Sequence, residues 1–202
     1  MNRLASLLSL VAALSAAAVA HAALEVGQPA PDFTLTDLNG QSHSLSSFKG
    51  KIVVLEWVNP ECPFVIKHYE KSTNMQDTQK AAAADGAVWL QINSAAAGKQ
   101  GDFDAARAKA WQQRVGATAT GYFRDQDGKV GKLYDARTTP HLFIISPEGT
   151  LLYQGGIDSI RSANPDDIAK ATNYVKAALA EIKAGKPVTH ASTAPYGCSV
   201  KY

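Results

Sequence analysis

The segment KIVVLEWV, Lys51 to Val58, is apolar and β-branched at almost every position, with Glu56 as its one carboxylate. A strand with one wet face alternates apolar and polar side chains. An unbroken run instead suits a strand covered on both faces, as in a parallel sheet. Asn59-Pro60 then marks a turn, and Cys62-Pro63 stands where a helix should begin, because proline fits the first helical position. The chain is set up as strand, turn and helix, with a cysteine at the joint.

The flanking sequence extends that pattern. Before the strand, Thr34, Thr36 and Leu38 lead to Asn39-Gly40, a strong hairpin signal, and Ser42 to Leu45 resume the strand. After it, a helix is expected from Pro63 to about Ala84, with Gly86 past its end. Ala87 to Asn93 is the next strand. The helix that follows has Asp102 as N-cap and Gly116 as its stop, with Phe103, Ala106, Ala110 and Trp111 on one face. A short strand (TGYFRD) and a short helix (GKVGKLYDAR) come next. Thr139-Pro140 precedes an apolar hairpin that turns at Pro147-Glu148-Gly149, and a helix from Pro165 stops at Gly185. Gly155-Gly156 reads as a bulge or turn. Strands alternating with helices, closed by a hairpin and a last helix, define an α/β layered sheet.

The first 22 residues stand apart. A basic start, a run of about 17 apolar and small residues, and Ala20-His21-Ala22 form a secretory signal peptide with cleavage after Ala22. The expected organisation is a signal peptide over 1–22, one domain over 23–185 and a C-terminal tail over 186–202. Export to a periplasm or beyond puts the protein where disulfides persist, with no membrane contact after cleavage. A net charge of +2 without a block of like charges argues against nucleic acid as the main partner.

Both cysteines, Cys62 and Cys198, lie in the mature chain. A mature chain of this size buries a core without a staple, so a structural bridge is not required. At a helix start, unpaired amides and the helix dipole favour a thiolate and draw a cysteine pKa from about 8.5 toward roughly 3.5–7.5. That reading needs Cys62 within reach of solvent; the other is a buried, inert cysteine. Glu56 is either solvated at a wet strand end or a buried proton donor or acceptor with a raised pKa near the sulfur. Trp57, Trp89 and Trp111 are expected to pack in the core, His68 to lie at the surface, His141 to be structural, and Tyr196 to help dock the tail.

The strand-to-helix joint NPECPFV, the Thr-Pro pair, the opening GQPAPDFTLTDLNGQ and the terminal GCSVKY together resemble the thioredoxin superfamily. The branch they are most similar to is the peroxiredoxin-like redoxins related to alkyl hydroperoxide reductase and thiol-specific antioxidant proteins. The resemblance spans Leu24 to Tyr202. It implies a thioredoxin-like fold: a mixed central sheet flanked by helices, with an N-terminal hairpin extension. By position, Cys62 falls on the attacking cysteine, with Pro63 beside it, Glu56 on the buried acid, and Thr139-Pro140 on the cis-proline loop that binds substrate backbone. Val65 replaces the resolving cysteine of a C-x-x-C pair. Asn59 stands where peroxiredoxins carry threonine, and Arg124 and Arg137 are the candidates for their activating arginine.

Two functions follow. One is a thiol-dependent oxidoreductase that needs no cofactor or metal: Cys62 attacks a disulfide protein or a hydroperoxide, Cys198 resolves, and a partner protein supplies reducing equivalents. The other is a non-catalytic thioredoxin-fold binding module or metal chaperone. It would carry either a structural Cys62–Cys198 bridge or a soft-metal site built from Cys62, Cys198 and His141.

Overall fold

The computed structural model describes residues 24–202; the expected signal peptide lies outside the described residues. A small hairpin pairs β1 (Thr34–Thr36) with β2 (Ser42–Ser44), turning at Gly40 with φ +82° as Asn39-Gly40 implied. The apolar run becomes β3 (Val53–Trp57), buried at all five positions. It is the centre of a five-stranded sheet with β4 (Val88–Asn93), β5 (Gly121–Arg124), β7 (His141–Ile145) and β8 (Leu151–Gly155), ordered β5-β4-β3-β7-β8. Pairing is parallel from β3 through β5 and antiparallel from β3 through β8, so the sheet is mixed.

Period-two alternation sends neighbouring side chains to opposite faces. Val53, Leu55 and Trp57 join Leu90, Ile92 and Phe143 on one face, under Phe33, Leu45 and α4 (Lys129–Leu133). Val54 and Val58 join Trp89, Leu142, Ile144 and Tyr153 on the other. That second face is covered by α1 (Pro63–Tyr69), α2 (Asn74–Ala84), α3 (Ala105–Val115) and α5 (Tyr174–Lys183). The three tryptophans are core residues, none more than 2% exposed.

Three helix boundaries differ from the sequence reading, each for a capping reason. The helix expected from Pro63 to Ala84 is two helices. Ser72 donates its hydroxyl to the Lys67 carbonyl (2.8 Å), and Thr73 bonds Asp77, so side chains that compete with the backbone interrupt the run. Asp104, not Asp102, caps α3 by accepting from the Arg107 amide (2.8 Å). Asp102 instead pairs with Arg124 (3.0 Å). The last helix starts at Tyr174, capped by Asn173, while Pro165–Lys170 forms a separate 3-10 segment.

The tail is stitched into the fold. Residues 191–193 run along the outer edge of β8, with Gln154 N–H donating to Ala191 and Thr193 N–H donating to Gln154. This covers an otherwise open sheet edge. Further on, β9 (Cys198–Ser199) pairs antiparallel with β6 (Thr138–Thr139). Val200 N–H donates to Arg137, and Ala96 N–H to Lys201.

Candidate active site

Cys62 is the N-cap of α1, held in extended backbone (φ −79°, ψ 125°) by the turn after β3, in which its own amide donates to Asn59 (3.0 Å). Pro63 supplies the first helical position. Opposite, the Thr139–Pro140 peptide is cis, and the Thr139 carbonyl oxygen lies 3.1 Å from the Cys62 sulfur. The β6–β9 register sets Cys198 across from Thr139, and its Sγ stands 2.8 Å from that of Cys62. A covalent S–S bond is about 2.05 Å. Both cysteines are therefore free thiols in contact.

The two sulfurs differ in access. Cys62 has no exposed surface, whereas Cys198 is half-buried. The expectation that Cys62 lies open to solvent is corrected: the folded-back tail covers it. Burial first, then hydrogen bonding to Cys62 and its charge, pushes the Cys198 thiol upward.

Gly197 allows this approach. Its φ of +138° is a glycine conformation, and a Cβ there would sit 2.0 Å from the Thr139 carbonyl oxygen. Tyr196, just before it, packs edge-on against Phe64 of α1, with ring centroids 5.8 Å apart.

Glu56 is fully buried on the sheet face that carries Cys62, one register position from Trp57. The Tyr69 hydroxyl donates to its carboxylate at 2.8 Å, Trp89 Nε1 at 2.8 Å and Gln91 Nε2 at 3.3 Å. The amides of Gln79 and Gln91 in turn each donate to the Tyr69 oxygen at 2.7 Å. Desolvation outweighs these donors and raises the Glu56 pKa from 4.5 to about 7. The solvated-strand-end reading is therefore corrected. None of its hydrogen bonds reaches either sulfur.

Other expected residues fall elsewhere. His68 is buried, not at the surface, because the tail and the segment after β8 close over α1. Its neighbour Lys67 is equally buried, unlike an ordinary helix-surface lysine. His141 lies in β7, and its Nδ1 accepts from the Arg137 amide (3.3 Å). Asn59 braces its own turn, accepting from the Glu61 amide and donating to Gln100. Arg124 pairs with Asp102, and Arg137 with Asp135. Among the described residues, no group of three or more His, Cys, Asp or Glu is placed to hold a metal ion.

A mixed sheet with a cysteine at the β3–α1 joint, facing a cis-proline loop, defines a redoxin of the thioredoxin superfamily. Residues 26–154 match the AhpC/TSA family, and the chain belongs to it. A crystal structure of a hypothetical protein from Sinorhizobium meliloti 1021 is similar at 25% identity and TM-score 0.73, over 90% of this chain and 96% of that one. An uncharacterized conserved protein from Geobacillus kaustophilus is similar at 25% identity and TM-score 0.74, over 89% and 93%. A putative thiol:disulfide interchange protein DsbE from Chlorobium tepidum is similar at 26% identity and TM-score 0.52, over 65% and 85%. In sequence, 54 residues are 44% identical to thiol-disulfide oxidoreductase ResA of Geobacillus kaustophilus. That match covers 23% of this chain and 31% of the relative.

Proposed function

We propose that the protein is an exported thiol-disulfide oxidoreductase in which Cys62 is the nucleophile and Cys198 the resolving cysteine. The contact between the two sulfurs, 2.8 Å apart at a helix start and against a cis-proline loop, carries this reading. The descriptions of the Geobacillus and Chlorobium relatives support it. In the forward step the Cys62 thiolate attacks a substrate disulfide, forms a mixed disulfide and releases one substrate thiolate. Cys198 then attacks Cys62: the Cys62–Cys198 bond forms, the mixed bond breaks, and the second substrate sulfur leaves with a proton. A dithiol partner protein returns the pair to thiols by the same exchange. The Thr139 backbone beside the sulfur is paired with the tail at Cys198, so an incoming peptide takes that place only when the tail lifts away.

Disulfide exchange is favoured over hydroperoxide reduction. The groups against Cys62 are a carbonyl acceptor and a second thiol, whereas both candidate arginines are committed to carboxylates. The signal-like segment MNRLASLLSLVAALSAAAVAHA supports export to an oxidising compartment. Turnover tests the proposal directly. The wild-type protein should reduce a disulfide-linked protein substrate with a dithiol reductant, and Cys62→Ser should lose all of that activity. Cys198→Ser should accumulate the mixed disulfide on Cys62. Full activity in Cys62→Ser would refute the assignment.

A second reading, a permanent bridge that pins the tail on a binding module, draws on the complete burial of Cys62. It requires a disulfide with a midpoint below about −300 mV, resistant to a physiological thiol pool.

A further inference from the structure

A buried polar chain with no part in the exchange chemistry above joins α1, the segment after β8 and the tail. Lys67 of α1, Asp158 after β8 and Tyr196 of the tail are at most 4% exposed. Asn74 Nδ2 donates to His68 Nδ1 at 2.9 Å, which leaves the ring proton on His68 Nε2, 3.3 Å from the Tyr196 oxygen. The Tyr196 hydroxyl donates to Asp158 Oδ1 at 2.5 Å, and Lys67 Nζ stands 3.6 Å from Asp158 Oδ2. Burial, then the charge of Lys67, lowers the His68 pKa to about 3, so the ring joins the chain as a neutral donor.

As a source of stability this arrangement is poor. Neither Lys67 Nζ nor Asp158 Oδ2 has a hydrogen-bond partner among the described residues, and both are shut away from solvent. A buried ion pair of this kind is often no better than apolar side chains of the same volume; its best-attested use is to fix register. What is registered here is Tyr196, two residues before Cys198. Three separate segments meet at one carboxylate, and the one they hold is the segment that both covers Cys62 and carries its partner sulfur.

We propose that Lys67, Asp158 and Tyr196 form a latch that positions the tail, closing Cys62 to bulky reagents while holding Cys198 in line to resolve it. The inference rests on the assignment of Cys62 as nucleophile and Cys198 as resolver. It makes the three latch members positioning residues for two steps with opposite demands. Opening the latch admits substrate to Cys62 and takes Cys198 away. A defect in the latch must therefore speed attack and slow resolution, a pairing that simple loss of stability does not produce.

Reduced protein mixed with one equivalent of a bis(nitrobenzoate) disulfide reports both steps, because attack and resolution each release one coloured thiolate. Wild type should release two thiolates per protein in two phases. Tyr196→Phe keeps the ring against Phe64 and removes only the hydroxyl. In this variant the first phase should be about tenfold or more faster and the second about tenfold or more slower, the factor carried by a hydrogen bond to a charged acceptor. The paired variant Lys67→Met with Asp158→Asn removes both buried charges together and should shift the phases in the same opposed directions. Rates within twofold of wild type in both variants, with two thiolates still released, overturn the latch and leave the cysteine assignment standing. Release of a single thiolate by the wild type overturns the assignment itself.

Discussion

Glu56 shows how a residue's neighbours decide its chemistry. In a strand covered on both faces a carboxylate must be neutral or surrounded by donors, and Tyr69, Trp89, Gln79 and Gln91 supply them. The burial that raises its pKa to about 7 also ties stability to pH. Below about pH 4.5 the carboxyl is neutral in both folded and unfolded chains, and its contribution is fully present. Between about pH 4.5 and 7 the unfolded chain ionises first, so stability falls as pH rises, by on the order of 3 kcal/mol, and levels off above. Denaturant unfolding at pH 5 and pH 8 should show that loss in the wild type and little of it in Glu56→Gln; equal slopes with pH in both proteins would contradict it. Glu56 was recognisable because it interrupts an apolar run. Lys67, His68 and Asp158 were not: Lys67 and Asp158 are 91 positions apart, and on a helix read alone a lysine and a histidine look like solvated surface.

The strands were legible because an apolar run buried on both faces has no other use, and KIVVLEWV, AVWLQIN and HLFII all became sheet strands. Helix ends were less so. The break at Ser72 and the start at Tyr174 each depend on a side chain capturing a particular backbone group, which spacing does not reveal. The tail was legible only as GCSVKY; its pairing with Thr138–Thr139 depends on Gly197, whose approach to the Thr139 carbonyl no larger residue can copy. Gly197→Ala should strain the docked tail by about 1–3 kcal/mol. Alkylation of Cys198 should then be several-fold faster, with the unfolding midpoint of the sheet little changed. An unaltered alkylation rate would mean that the β6–β9 pairing does not place the sulfur.

Taken as one body, the molecule uses its last residues twice, as a sixth edge element beside β8 and as the carrier of the second sulfur. Removing residues 191–202 should leave the β8 edge unpaired and uncover Cys62. Sedimentation should show self-association of that truncated protein at concentrations where the full chain is monodisperse, and Cys62 alkylation should rise about tenfold or more. A truncated protein that stays as dispersed and as unreactive as the full chain would contradict both roles. The proposed reactive centre thus brings together the β3–α1 joint, the Thr139-Pro140 loop and the tail, contacts separated by 77 and 136 positions along the chain.

The most direct measurement is a thiol–disulfide titration of the mature protein across graded redox buffers, with mass spectrometry identifying the bond formed. A single reversible two-electron transition between Cys62 and Cys198, with a midpoint above about −300 mV, is the expected result. Two independently titrating thiols, or a bridge that stays closed below that potential, would contradict a catalytic pair.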